Sequence, residues 1–232
     1  MDNTSPAVSI VVTSYTMERY NDLTELLDSL QEQTYRNFET VLVTEKSSEL
    51  FEKLKVYIQE KGYFNTRVLF NTGPQGLSPS RNLGIKEAKG DIITFTDDDA
   101  LPFPEWLEEI VKTFAGDDSV ISVTGLALPL WQEESMNWFP EEFYWVIGCT
   151  AFSKLTEVEE VRNAWGANMS FAKEAFALCG LFNENDFGSS IANTKGKQGL
   201  IGDDTEFSLR LRRETGKRIL YNPRVKIRHK VY

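Results

Sequence analysis

Cysteine is nearly absent from this chain of 232 residues: Cys149 and Cys179 are the two, each set among apolar or aromatic neighbours. Such thiols read as buried and reduced, so nothing calls for a disulfide framework or an oxidising compartment. Histidine is rarer still, with His229 alone near the chain end. Basic residues are in deficit, 25 Lys and Arg against 35 Asp and Glu for a net charge of −10, which excludes the basic footprint of a general nucleic-acid binder. An acidic chain that handles a phosphorylated ligand needs local positive charge, and a divalent cation supplies it economically. No apolar run is long enough to span a bilayer, and the start at Met1 lacks the basic-then-apolar pattern of a secretory signal. The expectation is a soluble, cytoplasmic protein.

The 41% hydrophobic content suffices for one substantial core, and residues 1–232 read as a single domain. Unbroken β-branched and apolar runs predict strands at 8–13, 38–44, 67–71 and 92–96. Between them, helical spacing predicts helices at 21–33, 50–61 (ended by Gly62) and 80–89 (stopped by Gly90). Strands alternating with helices imply an α/β fold with a mostly parallel central sheet and crossover helices. A further helix is expected at 103–114 and a strand at 120–128, followed by an aromatic stretch, Trp131 to Trp145. A short helix near 173–178, a polar loop at 183–202 with the character of a lid, a helix at 203–215 and two strands, 218–221 and 225–231, complete the chain.

The fourth strand runs straight into Asp97-Asp98-Asp99, at the carboxyl edge where open α/β sheets bind ligands. Adjacent carboxylates raise one another's pKa unless a cation lies between them, and oxygen ligands on a short turn suit Mg²⁺ or Mn²⁺. The plainer alternative is a solvated turn capping the helix near Pro104. A calcium loop of the EF-hand type is disfavoured further, because Ala100-Leu101-Pro102 has neither its alternating oxygen ligands nor its glycine.

Several segments in order carry a resemblance: Val11-Val12-Thr13-Ser14-Tyr15, the link Gln33 to Glu39, the run Gly76 to Asp91, and Phe95-Thr96-Asp97-Asp98-Asp99. Together they resemble the family 2 glycosyltransferases over nearly the whole chain. The resemblance implies a three-layer α/β/α nucleotide-sugar-binding fold (GT-A), with residues 1–128 as the donor half and 129–232 as the acceptor half. It implies that Thr13 and Tyr15 border the base, that Asp98 holds the ribose, that Asp99 ligates the metal, and that Asp97 shares either task. Arg81 would approach the donor diphosphate or sugar, or else form a salt bridge on its helix. Where the family commonly has Asp after strand two, this chain has Glu45, whose longer side chain would read the base; a UDP-sugar is the expected donor. A sugar-nucleotide pyrophosphorylase is disfavoured, since Ser14 to Glu18 contains no glycine for a phosphate loop.

Gly202-Asp203-Asp204-Thr205-Glu206 is similar to the family's acceptor-side acidic motif, with Asp204 as catalytic base and Asp203 in place of the usual Glu. Plain N-terminal capping is the alternative. Trp165 would either stack on an acceptor sugar or sit in the core. The aromatic stretch is expected mostly to pack on the sheet as an inserted helix; the other reading is a surface for a lipid-linked acceptor at the membrane interface. The family resemblance makes His229 a candidate metal ligand; on residue type alone it is structural or exposed. The implied reaction is inverting transfer to a saccharide or lipid-linked saccharide acceptor, with glucose or glucuronate transfer to a lipid-phosphate carrier as the guess at pathway. This would occur in the cytoplasm, at the inner membrane face if the acceptor is a lipid. A binding module without turnover is the competing class. The end three residues after His229 suggests a longer natural chain with a membrane-associating tail.

Overall fold

Four strands of β-branched, aliphatic and aromatic residues build one half of the sheet: β1 (Val8–Ser14), β2 (Phe38–Thr44), β3 (Thr66–Phe70) and β4 (Ile92–Thr96). They lie in the order β3-β2-β1-β4, all parallel. In this computed structural model, which describes residues 5–185 and 202–232, β1, β2 and β4 are buried almost throughout. That is why they read as continuous apolar runs instead of alternating ones. The crossovers are α1 (Tyr20–Gln31), α2 (Ser48–Lys61) and α3 (Leu77–Glu87). Leu23, Leu26, Leu27 and Leu30 form the buried stripe of α1. The Ser47 hydroxyl caps α2 by accepting the Leu50 N–H at 3.1 Å, and Gly62 at φ 69° ends that helix.

The remaining elements are β5 (Ala100–Pro102), α4 (Trp106–Ala115), β6 (Val120–Trp131), β7 (Glu159–Glu160), β8 (Asn168–Ala172), α5 (Glu174–Cys179), α6 (Asp203–Thr215) and β9 (Arg218–Val231). The sheet continues β4-β8-β6-β9-β5, with β7 beside β9. Strand β8 runs antiparallel to both β4 and β6, and β9 runs parallel to β6. Strands β6 and β9 therefore point the same way as β1 to β4, and the mostly parallel sheet is borne out. Alternate residues of β1 serve two cores. Val8, Ile10 and Val12 meet the leucines of α1 together with Trp106 and Ile110, while Val11 meets Ile85 and a cluster of Phe95, Phe171, Phe176 and Phe207. Helices thus cover both faces, giving three layers.

Three expectations are revised. A single β9 replaces two strands, because the chain bulges at residues 223–225 without leaving its pairing with β6. Pro223 has no N–H to offer the ladder, and the Arg224 N–H turns to the Asn222 side chain at 2.9 Å. Helix α3 begins at Leu77 instead of Ser80, since Pro79 is tolerated in a first turn. The aromatic stretch forms no inserted helix. It makes short 3₁₀ turns at Glu134–Met136 and Glu141–Ile147 with no buried residue. Trp138, Phe143 and Trp145 are 71%, 52% and 60% exposed, and Phe139 stacks on Tyr144 at 6.4 Å. Pro140 and four glutamates within residues 131–147 work against a continuous buried helix. Among the described residues no helix is long and apolar enough to cross a membrane. Of the expected lid, residues 186–201 lie outside the described residues.

At Gly125, opposite the β9 bulge, a Cβ would come within 2.0 Å of the Val225 carbonyl oxygen and 2.6 Å of its Cβ. Gly125→Ala is therefore expected to lower stability by about 1–3 kcal/mol through overpacking. Urea denaturation checks this; an unchanged midpoint would contradict the close approach.

Candidate active site

Parallel strands ending together put their last residues on one edge. There the ends of β1, β2 and β4 meet a cavity of about 280 Å³ lined by Thr13, Ser14, Tyr15, Glu45, Gly76, Leu77, Ser80, Asp97, Asp98, Asp99 and His229. Seven of the nine residues singled out from the sequence face this one space. Arg81 and Asp204 stand beside it, linked to it through Asp203 and Asp97.

Strand register brings the histidine to the acidic turn from 130 residues away. Ala100 pairs with His229 across β5 and β9, and the Lys230 N–H donates to the Asp99 carbonyl at 3.0 Å. The imidazole Nε2 consequently lies 3.1 Å from Asp99 Oδ1 and 3.6 Å from Asp97 Oδ2. One ligand atom each from Asp97, Asp99 and His229 fall within 4.8 Å of one another. Gly148, at φ 73°, backs the ring so closely that a Cβ there would sit 3.2 Å from His229 Cε1, so the end of the aromatic segment walls the site. Two carboxylates and one imidazole suit Mn²⁺ and accept Mg²⁺.

The electrostatics follow from crowding. Burial works against a charged His229, but the Asp97 and Asp99 carboxylates beside it outweigh that and push its pKa up to about 12. A divalent cation held between the same two carboxylates would leave the imidazole neutral, as a ligand must be. Burial, then Asp99 and Asp97, push Asp98 up to about 7, against the nearby Ser14 hydroxyl and the charge of Arg19. Burial also opposes ionisation of Asp97, yet His229 and Arg81 hold its carboxyl below the usual range.

Glu45 is already engaged: its Oε2 accepts the Gly76 N–H at 2.8 Å and the Ser80 hydroxyl at 3.0 Å. It thereby ties the end of β2 to the start of α3, where the helix dipole favours an anion. Its Oε1 faces Lys46 Nζ at 3.7 Å, and that ammonium also lies 4.8 Å over the ring of half-exposed Tyr15.

Arg81, 4% exposed, joins the donor edge to α6. Its Nη1 donates to Asp203 Oδ2 at 2.8 Å, while its Nη2 lies 3.6 Å from Asp97 Oδ1 and 3.4 Å from the Gly166 carbonyl. Asp204 accepts the Gly166 N–H at 2.9 Å and its neighbour's N–H, from Thr205, at 2.6 Å. Burial and Asp203 push the Asp204 carboxyl above the ordinary range, against those N–H donors and Arg81. Trp165 is half-buried, edge-on to Tyr221 at 6.1 Å.

Sequence reasoning missed Arg19, whose Nη2 lies 3.1 Å from Asp99 Oδ2, and the lining residues Ser14, Gly76, Leu77 and Ser80. No local signal marks Arg19, because its partner is far along the chain.

The fold is that of known glycosyltransferases. A mannosyltransferase from Pyrobaculum calidifontis in complex with GDP-Man and Mn²⁺ matches 98% of this chain and 57% of its own, with a TM-score of 0.71 at 21% identity. GalNAc-T7 with UDP, GalNAc and Mn²⁺ matches 99% of this chain and 45% of its own, with a TM-score of 0.73 at 17% identity. Both have the GT-A fold. The family model for glycosyl transferase family 2 matches residues 9–178. A glucosyl-dolichyl phosphate glucuronosyltransferase of Haloferax volcanii is 33% identical over 226 residues, 97% of this chain and 69% of that protein. The chain belongs to glycosyl transferase family 2.

With one histidine in the chain, its NMR titration reads the site directly. In metal-free protein the His229 imidazole is expected to keep its charged-form shifts from pH 5 to 8, since its raised pKa favours the protonated form throughout. An inflection near 6.5 would contradict the pairing with Asp97 and Asp99.

Proposed function

We propose that this chain transfers a sugar from a nucleotide-sugar donor, a UDP-sugar, to a hydroxyl of a saccharide or lipid-linked saccharide acceptor, using Mn²⁺ or Mg²⁺. The observation that carries this reading is the convergence of Asp97, Asp99 and His229 at the carboxyl edge of the sheet, with Tyr15 and Glu45 lining the same cavity and Asp204 joined to it through Arg81. Residues 1–128 supply most of the donor side; residues 129–232 supply the acceptor side and the histidine.

Asp97, Asp99 and His229 would hold the cation, which when bound supplies positive charge against the donor diphosphate. Thr13 and Tyr15 border the base. Asp98, which lines the same cavity, would bind the ribose hydroxyls, and Arg81 would add fixed charge near the diphosphate. Glu45 supports the base pocket by holding Gly76 and Ser80 in place. The acceptor oxygen forms a bond to the anomeric carbon as the carbon–oxygen bond to the diphosphate breaks. The hydroxyl proton passes to Asp204, and the bonding electron pair leaves with the nucleoside diphosphate. A single displacement of this kind inverts the anomeric centre.

The Haloferax relative is a glucosyl-dolichyl phosphate glucuronosyltransferase, which supports a lipid-linked acceptor. The exposed rings of Trp138, Phe143 and Trp145 adjoin the segment that walls His229, which suits contact with the lipid part of such an acceptor at a membrane surface. Replacing Phe143 and Trp145 together by serine is expected to raise the KM for a long-chain lipid-linked acceptor and leave a short water-soluble analogue unaffected. Equal losses with both acceptors would argue against the lipid contact.

Binding of UDP-, GDP- and other nucleotide sugars, with and without Mn²⁺, tests the donor site. Binding should require the metal and be lost in Asp99→Ala. Asp204→Asn should keep donor binding while transfer falls about 10²- to 10⁴-fold. In the wild type the acid limb of kcat/KM should lie above the ordinary carboxylate range, because the base works only when deprotonated and its pKa is raised. Metal-dependent binding without any transfer would instead favour a binding module.

A further inference from the structure

Arg19 belongs to none of the roles above, yet it touches the centre of the site. It ends the 3₁₀ turn Met17–Arg19 that follows β1 and stands at the N-cap of α1, where its side chain makes no capping bond. The guanidinium instead reaches the acidic turn: Nη2 lies 3.1 Å from Asp99 Oδ2, and Nε lies 3.9 Å from Asp98 Oδ1. From behind it is fixed twice. Asp22 Oδ2 accepts from its Nη1 at 3.2 Å, and the Tyr232 ring lies 4.7 Å from its central carbon. Asp22 is in turn tied to β9 by Lys230 Nζ at 2.7 Å, and the same ammonium holds Glu25 at 2.7 Å. A chain of charges therefore fixes the guanidinium before any ligand arrives.

The two oxygens of Asp99 are thus divided. Oδ1 faces the imidazole at 3.1 Å and Oδ2 faces Arg19 at 3.1 Å, and Asp99 is buried. The Asp99 backbone is pinned by its carbonyl bond from Lys230, which leaves the side-chain torsion as the remaining freedom. Arg19 removes it. Its positive charge also offsets the repulsion between the neighbouring Asp98 and Asp99 carboxylates.

We infer that Arg19 is a positioning residue for the divalent cation: it orients the Asp99 carboxylate so that Oδ1 points into the space shared with Asp97 and His229. This rests on the metal reading of the preceding subsection. Outer partners of a metal-binding carboxylate typically contribute about 10- to 100-fold to metal affinity.

The test is titration of Mn²⁺ alone into the full chain, following free Mn²⁺ by EPR, for wild type, Arg19→Gln, Arg19→Lys and Asp99→Asn. Near-UV circular dichroism verifies that each variant is folded. Arg19→Gln is expected to weaken Mn²⁺ binding about 10- to 100-fold. Arg19→Lys is expected to recover part of it, because it restores the charge without the fork that meets Asp99, Asp98 and Asp22 together. Affinity in Arg19→Gln that is unchanged or tighter would overturn the inference. If UDP or GDP binding at saturating Mn²⁺ fell in that case, Arg19 would be a contact of the donor. Equal Mn²⁺ binding by wild type and Asp99→Asn is a different failure: it removes the metal reading itself, and this inference with it.

Discussion

Three successive carboxylates at the end of a buried strand cannot all stay ionised without cations around them, and the placement of many other residues answers that charge. Arg19 arrives from the turn after β1, Arg81 from α3, and His229 from the last strand. Each comes from a different part of the chain, so the acidic turn can exist only when the sheet, its crossovers and the terminal strand are all in place. The same electrostatic demand makes the site receptive to a divalent ion, since two carboxylates and one imidazole converge on one side of the turn while the guanidinium groups occupy others.

Sheet topology translates this demand into geometry. The parallel half, β3-β2-β1-β4, ends at an edge where Tyr15, Glu45 and Asp97 stand near one another because their strands are in register. The half built from β8, β6, β9 and β5 contributes what the first cannot, a histidine delivered by antiparallel pairing of Ala100 with His229. Asn168, at the start of β8, pairs with Thr96 at the end of β4 and so sits where the halves join. Its side chain accepts from the Trp106 indole N–H at 2.9 Å and donates to the Val225 carbonyl at 2.9 Å. A buried network with every member paired gives the rigidity that a site spread over several strands requires.

The parallel strands and the acidic turn were legible because their signals are local. An apolar run five to seven residues long followed by turn residues has few other readings, and α1 and α2 carry their cores in plain helical spacing. Resemblance added His229 and Asp204 as candidates, but the pairing that brings His229 to Asp99 spans 130 residues and leaves no trace in either segment alone. Arg19 was illegible for the same reason. The aromatic stretch misled in the other direction: aromatic density usually signals core, yet here Pro140 and the flanking glutamates leave Trp138, Phe143 and Trp145 in solvent. Glu45 lines the cavity as expected, but its carboxylate also holds Gly76 and Ser80, a contact set by the turn after β3 and invisible beside Thr44.

The central claim is that the acidic turn, the terminal histidine and the cavity between them form one metal-dependent donor site. The most direct measurement is anomalous diffraction from crystals grown with Mn²⁺ and a nucleoside diphosphate. A single anomalous peak within coordination distance of Asp97, Asp99 and His229, with the diphosphate completing the shell and the base beside Thr13 and Tyr15, is the expected result. A diphosphate bound in the cavity with no metal beside it, or a metal bound away from His229, would contradict the account.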